Sequence, residues 1–246
     1  MSAELVDRVK KFIAPEDKIH GFDHILAVVA NVKAVRAEPE FAGKYIDEEV
    51  LLAAAYLHDI GYFYKDLMSI DSFEHIELGI ETAREILTEI EFDKTKIEDV
   101  CYLILNHDNP KWPIPNLMRD NNPRLTIDEI TEREKTDKPW LKDALAILKE
   151  ADSSEYTDMK GIERTMLYST RIGLPVLGNP TWQDSMNKNA LSNLLIFPYV
   201  AWLNATTAKG KKRAEEGYIN TQKWIKTYCE ENGISFVPES LPVANS

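Results

Sequence analysis

The chain has 246 residues, of which 44% are hydrophobic and 28% are charged, as in an ordinary globular protein. Its 29 basic and 41 acidic side chains give a formal net charge of −12, so its surface repels phosphate backbones and anionic lipids. The composition excludes a disordered tail, a collagen and a coiled-coil rod, and it argues against nucleic-acid polymers and membranes as partners. A small phosphorylated molecule held in a local basic pocket is compatible with this charge.

The sequence predicts a cytoplasmic protein. Cys101 and Cys229 are too far apart to suggest a disulfide framework or a metal-binding Cys motif, which suits a reducing compartment. Charged side chains interrupt the first 15 residues, which therefore lack the apolar core of a signal peptide. The uncharged segment 189–208 is solidly apolar over only ten residues, so we expect a buried helix there and no membrane span.

Apolar residues recur at steps of three and four along most of the chain, which predicts helices. The predicted helices cover residues 3–13, 23–37, 47–58, 71–90, 95–107, 127–135, 139–152, 161–172, 182–208 with a kink at Pro198, and 211–232. No alternating apolar segment with hairpin chemistry interrupts them, so the expected fold is all-α.

Several residues mark where these helices begin and end. Capping residues with a carboxylate three positions later favour three helix starts, at Asp71 and Glu74, Thr95 and Glu98, and Thr126 and Glu129. Gly61 and Gly233 stand where the ends of helices favour glycine.

Two loops divide the chain. Four prolines crowd residues 109–124, which excludes a helix there, and a loop of this length is typical of a lid or binding loop. A decorative loop without a role is equally compatible. A second loop at 173–180 separates two parts, a helical domain over residues 1–180 and a C-terminal helical extension over 181–246, which we expect to pack as one unit.

All five histidines fall in the first 107 residues, at the starts or ends of predicted helices; they are His20, His24, His58, His75 and His107. Any one of them alone is typical of a helix cap or a surface residue. Because the ends of several helices can converge on one point, this placement also suits a shared site.

Asp59 follows His58 at the end of a predicted helix, where the helix dipole disfavours an acidic side chain. Adjacent residues in a helix point about 100° apart, so the backbone must turn after the helix for both side chains to face one ion. A bound cation explains an acid at this position. Imidazole and carboxylate together suit Mn, Fe, Co, Ni or Zn, whereas Mg and Ca prefer oxygen ligands alone.

From His20 to Pro175 the chain resembles the HD superfamily of metal-dependent phosphohydrolases, which is named for a His–Asp dyad in an all-helical domain. The resemblance rests on five segments in the family's order: HGFDHILAVVANV, LLAAAYLHDIG, FEHIELGIETAREIL, LILNHD and LKEADSSEYTDMKGIERT. It implies an HD-domain-like helical bundle with additional C-terminal helices, and an enzyme that hydrolyses phosphoric esters.

The resemblance also implies a metal-ligand set for one or two divalent transition-metal ions. One ion would be held by His24, His58, Asp59 and Asp152. A second would be held by His75 and His107, with Asp59 as the bridge. A capped first turn for His75 and an ordinary helix end for His107 are the structural alternatives.

The chain departs from a close subgroup of the family in two places. Glu150 stands where that subgroup prefers aspartate, and Ile60, Gly61 and Tyr62 follow the dyad without a glutamate. These departures concern the substrate and the proton donor, and they leave the predicted metal ligands in place.

The expected reaction is hydrolysis of a small phosphate ester or nucleotide by a metal-activated water, with His58 and Asp59 holding the catalytic metal. His20 is expected to orient the substrate or to protonate the leaving oxygen, because imidazole titrates near neutral pH. Arg164, Asp23 and Lys65 are expected to contact the substrate, and the guanidinium offers paired donors to phosphate. An ordinary loop or surface position is equally compatible with His20 and Arg164, and a solvated surface position is favoured for Lys65.

Two other functions fit the same residues. The six-ligand arrangement also occurs in diiron oxygenases resembling myo-inositol oxygenase, which cleave carbon bonds with dioxygen. A non-enzymatic HD module that binds a nucleotide is the third candidate, and the intact ligand set argues against it.

Overall fold

The computed structural model describes residues 3–13, 17–63, 74–108, 136–172, 191, 194–195 and 197–235. These residues form α-helices and short 3₁₀ turns, and no strand occurs among them. The predicted all-α fold is therefore confirmed. The chain divides into two compact units, Met1–Ala151 and Asp152–Ser246. The predicted boundary near residue 180 lies outside the described residues.

The helices of the first unit agree with the predicted ones to within two residues wherever their ends are described. They are α1 (Ala3–Phe12), α2 (Phe22–Arg36), α3 (Glu48–Leu57), α4 (Glu74–Glu89), α5 (Ile97–Asn106) and α6 (Pro139–Ser153), with 3₁₀ turns at Pro39–Phe41 and Ile60–Phe63. The last two residues of α6 already belong to the second unit.

Helix α3 forms the centre of the first unit. Its sequence from Val50 to Leu57 is apolar on every face, and all of these side chains except Leu52 are buried. A helix without a polar face must be surrounded by other elements, and α3 packs against α1, α2 and α5. Asp47 caps it by accepting hydrogen bonds from two backbone N–H groups, 3.1 and 3.2 Å away.

Helices α2 and α6 complete this core. The buried residues of α2 recur at steps of three and four, as in Ile25, Val28 and Val32, so one stripe of the helix faces inward. On another part of α2, the Asn31 side-chain amide donates to the carbonyl of Ala151 at 3.2 Å. This bond fixes the end of α6 against α2.

Gly61 permits an unusually close approach between α4 and the turn Ile60–Phe63. A Cβ atom at Gly61 would stand 1.9 Å from the carbonyl oxygen of His75 and 2.7 Å from the amide nitrogen of Gly79. Among the described glycines only Gly43 and Gly233 have positive φ. The prediction that Gly61 ends α3 as a C-cap is therefore wrong. Glycine is required there because the backbone of α4 leaves no room for a side chain.

The predicted cap of α5 is also wrong. The helix begins at Ile97, and Thr95 instead donates its backbone N–H and its hydroxyl to Asp93. Glu98 accepts two hydrogen bonds from Arg84 of α4, at 2.9 and 2.8 Å. The carboxylate that a helix cap at Thr95 would use is therefore engaged in an ion pair between two helices. The other two predicted caps begin at residues outside the described part of the chain.

The second unit contains α7 (Met159–Ile172), α8 (Ala208–Asn232), a 3₁₀ turn at Ser154–Tyr156 and a helical stretch over residues 197–204. The helix predicted to end at residue 208 ends four residues earlier, and α8 begins three residues before its predicted start. Thr207 sets the start of α8, because its hydroxyl accepts the Gly210 N–H at 2.9 Å and so caps the helix. Gly233, at φ 63°, ends α8 as predicted.

No helix among the described residues is long and apolar enough to span a bilayer. The predicted loops at 109–124 and 173–180, and the predicted helix at 127–135, lie outside the described residues. Their assignments stay predictions.

Replacing Gly61 with Ala should destabilise the first unit by about 1–3 kcal/mol, because the added methyl forces α4 away from the turn. Thermal and urea unfolding of the variant measure this effect. Gly79→Ala is the matched control, since its Cβ meets its neighbours at 3.4 Å or more and alanine favours the helix. Equal stability of the two variants would contradict the close approach.

Candidate metal centre

Four helix ends bring four histidines around Asp59. His24 and His75 lie in the first turns of α2 and α4, whereas His58 and His107 are the C-cap residues of α3 and α5. Asp59 follows His58 where the chain turns out of α3. All five side chains belong to residues that are at most 6% exposed. The all-apolar α3 and the close packing of α4 therefore place this polar cluster inside the first unit.

The Asp59 carboxylate divides the imidazoles into two pairs. Its Oδ2 lies 3.2 Å from His24 Nε2 and 3.4 Å from His58 Nε2, an arrangement we call the Oδ2 side. Its Oδ1 lies 3.6 Å from His107 Nε2 and 3.9 Å from His75 Nε2, which we call the Oδ1 side. Two atoms bound at about 2.1 Å to one ion can be at most about 4.2 Å apart, so each of these separations suits shared coordination.

Backbone carbonyls orient two of the imidazoles. His58 Nδ1 lies 3.0 Å from the carbonyl oxygen of Ala55, and His107 Nδ1 lies 2.7 Å from that of Ile104. The last carbonyls of a helix have no partner within the helix, so each is free to accept an Nδ1–H. In the neutral ring this bond places the proton on Nδ1 and the lone pair on Nε2, as in metal-binding histidines.

These tautomers create a need for positive charge between the rings and the carboxylate. The Nε2 atoms of His58 and His107 are then acceptors, and each faces an oxygen of Asp59 that can only accept as well. His58 Nε2 also lies 3.3 Å from His24 Nε2. Protonated imidazoles or a bound cation would satisfy both groups. Since four imidazoles surround one carboxylate, one or two divalent ions match the donor set better than several buried imidazolium rings.

The pKa values of Asp59 and His75 also favour the protonation states that a metal centre needs. Burial by itself would raise the pKa of Asp59, but positive charge on His58 and N–H groups donated by His107, His24 and His58 hold this pKa well below its ordinary value when those rings are protonated. A bound cation in place of those protons would act on Asp59 in the same direction. Burial lowers the pKa of His75 to about 3, although Asp59 opposes this shift. An ionised carboxylate and a neutral imidazole are the forms that bind metal ions.

His75 supplies an independent test of the fit. Both of its ring nitrogens are buried, and neither has a hydrogen-bond partner within the described residues. A buried polar atom without a partner costs about 1–3 kcal/mol. A metal ion at Nε2 would remove that cost, so the residues present fit a metal centre.

The other predicted residues of the first unit lie around this cluster or outside the described chain. His20 is buried just before α2, and its ring stacks on Tyr62. Asp23 is exposed in the first turn of α2. Lys65 lies outside the described residues.

Two predicted residues belong to the second unit. Asp152 is half-buried in the last turn of α6, directly after Ala151. Arg164 on α7 lies over the ring of Tyr156 at 5.9 Å, and its Nη1 is 3.9 Å from a carboxylate oxygen of Glu155. Their roles as metal ligand and substrate contact stay predictions.

Tyr62 is a site residue that the sequence analysis missed. Its ring lies between two imidazoles, with centroid distances of 3.8 Å to His20 and 4.0 Å to His75 and interplanar angles of 9° and 12°. In the sequence Tyr62 only marks a departure from the family pattern. Tyr62 stands three residues after Asp59, so about one helical turn brings it back to the side of the chain that carries Asp59. This spacing is the one signal in the sequence that points to the site.

An all-helical unit with a buried His–Asp cluster of this kind defines a class of metal-binding helical domains. The family model of the HD domain matches residues 21–157. The chain belongs to the HD domain family, whose members are generally metal-dependent hydrolases.

One solved structure is similar to this chain over nearly its whole length. It is a protein from Lactobacillus plantarum, 14% identical, with a TM-score of 0.59 and coverage of 94% of this chain and 96% of that chain. At this identity the similarity shows the fold alone. The search of curated proteins found no match.

The two-sided arrangement around Asp59 predicts how metal content responds to substitution. If one ion binds on each side, Asp59→Ala should remove both, because it deletes the oxygen on each side, whereas His107→Ala should remove only the ion on the Oδ1 side. Elemental analysis of the purified full chain measures both, and far-UV circular dichroism should show near-normal helicity.

Asp99→Ala is the matched control, because Asp99 is also a buried aspartate, although it pairs with Lys138 at 2.5 Å and not with histidines. This variant should keep the metal content of the unsubstituted chain. Full metal content in Asp59→Ala would show that the carboxylate bridges nothing.

Proposed function

We propose that this protein is a metal-dependent phosphohydrolase that acts on a small phosphate ester or nucleotide. The observation that carries the proposal is the buried Asp59 carboxylate, whose two oxygens face different pairs of imidazole nitrogens. Membership of the HD domain family supports the same reaction class.

The ligands follow from the two sides of the carboxylate. His24, His58 and Asp59 would hold one ion, with Asp152 as the further ligand predicted from the sequence. His75, His107 and Asp59 would hold the other. A divalent ion in such a site lowers the pKa of bound water towards neutrality and neutralises charge on a phosphoryl oxygen.

The chain's own groups then prepare the site for a phosphate. Asp59 keeps both carboxylate oxygens unprotonated, and the carbonyls behind His58 and His107 keep each Nε2 lone pair facing inward. His20, stacked at the edge of the cluster, is the proposed donor of a proton to the leaving oxygen. Arg164, Asp23 and Lys65 are the proposed substrate contacts.

The net charge limits the classes of substrate that we propose. With a charge of −12 the surface as a whole repels a polyanion, so attraction must come from the metal ions and a few local cations. A small phosphorylated molecule needs only that local attraction. We therefore propose a small ester or nucleotide in preference to a nucleic-acid polymer or a membrane lipid.

A screen of the purified chain tests the proposal. After treatment with a chelator, the chain is reconstituted separately with Mn²⁺, Fe²⁺, Co²⁺, Ni²⁺ and Zn²⁺ and assayed for phosphate release from an aryl phosphate and from nucleotides. We expect release that depends on the added metal. Asp59→Asn should lower it at least about 100-fold, because even the loss of an outer partner of a metal ligand costs about 10–100-fold.

The same assay separates the other candidate functions. An oxygenase would consume dioxygen in the iron-loaded form and would release no phosphate under nitrogen. A nucleotide-binding module would bind the nucleotide without turnover. Either result, obtained after each of the five metals has been loaded in turn, would overturn the proposed reaction. Asp99→Asn serves as the control variant that should keep full activity.

A further inference from the structure

The ring of Tyr62 joins His20 and His75 in one stack. Its nearly parallel contacts, at 3.8 and 4.0 Å, are closer than any other ring pair in the described residues of the first unit. Aromatic rings at such distances restrict each other's planes, and stacked pairs contribute about 0.5–1.5 kcal/mol beyond the area they bury. The stack therefore fixes the plane of the His75 imidazole.

His75 needs this restraint because it lacks the one that His58 and His107 have. Those two rings lie at helix C-termini, where free carbonyls accept their Nδ1–H groups. His75 lies in the first turn of α4, where a helix exposes N–H donors and offers no free carbonyl. Accordingly, its Nδ1 has no hydrogen-bond partner within the described residues.

The packing of the turn places Tyr62 for this role. The Tyr62 N–H donates to the carbonyl of Asp59 at 3.0 Å, so the ring and the carboxylate belong to one short turn. Gly61 lets that turn approach the backbone of His75 without an intervening side chain. The Tyr62 ring therefore stacks on the face of the His75 imidazole, and the Asp59 carboxylate faces the Nε2 edge of the same imidazole.

We propose that Tyr62 is a positioning residue for the metal centre, whose stacked ring replaces the missing carbonyl and holds His75 Nε2 towards Asp59 Oδ1. The inference rests on the proposed function to the extent that it assumes metal ions bind at this cluster. The proposed effect is limited to one side of the carboxylate. Tyr62 acts on the Oδ1 side, whereas His24 and His58 on the Oδ2 side do not depend on it.

Metal titration of the chelator-treated full chain tests this selectivity. Co²⁺ is added to each variant, and calorimetry with visible absorption gives the number and affinity of the sites. In Tyr62→Leu we expect the ion on the Oδ1 side to bind about 10–100-fold more weakly, as when other orienting partners of ligands are removed, and the other ion to bind as before. Tyr62→Phe keeps the stacked ring and should bind both ions normally.

Tyr228→Leu is the matched control, because Tyr228 is also half-buried and stacks on Trp224, at 5.0 Å and 13°, in the second unit. It should change neither site. If Tyr62→Leu lowers the melting temperature of the metal-free chain, Tyr62→Met, which fills the space with a flexible side chain, makes the same measurement. Proton NMR of the metal-free chain gives a second reading, since the stack should shift the His75 ring protons upfield in the unsubstituted chain and in Tyr62→Phe alone.

The outcomes separate the inference from the function it rests on. If the unsubstituted chain binds no Co²⁺ at all, the metal centre fails and this inference fails with it. If the unsubstituted chain binds two ions and Tyr62→Leu binds both equally well, only the role of Tyr62 is wrong. Equal weakening of both ions in Tyr62→Leu and Tyr62→Met would likewise overturn it, because it would indicate a general loss of structure.

Discussion

The structure depends on balancing one buried negative charge. Asp59 is almost fully covered, and each of its two oxygens lies within 4 Å of two imidazole nitrogens. A buried carboxylate is stable only when it is paired and hydrogen-bonded, and two of these nitrogens are turned so that they offer lone pairs. A divalent ion on each side of the carboxylate would satisfy the oxygens and the nitrogens together.

The helix ends explain why this cluster forms where it does. The C-termini of α3 and α5 carry partial negative charge and free carbonyls, which favour a cation nearby and hold the rings of His58 and His107. The N-terminal first turns of α2 and α4 supply the other two rings. The buried core around α3 holds these ends in place, and Gly61 lets α4 come close enough to deliver His75.

The sequence predicted most of this because its strongest signals are local. The apolar periodicity predicted the helices, and the acid after His58 at a helix end indicated a cation. The sequence did not reveal the stack on Tyr62 or the close contact at Gly61, since both arise only when α4 packs on the turn. Glu98 shows the same limit, because a side chain from α4 takes the carboxylate that a local cap would use.

Anomalous X-ray scattering from crystals of the full chain grown with Mn²⁺ or Fe²⁺ tests the central claim most directly. The account predicts two peaks, one on each side of the Asp59 carboxylate, each about 2.0–2.3 Å from histidine Nε2 atoms. Peaks only at other places, with the Nε2 atoms of His58 and His107 hydrogen-bonded directly to Asp59, would contradict it.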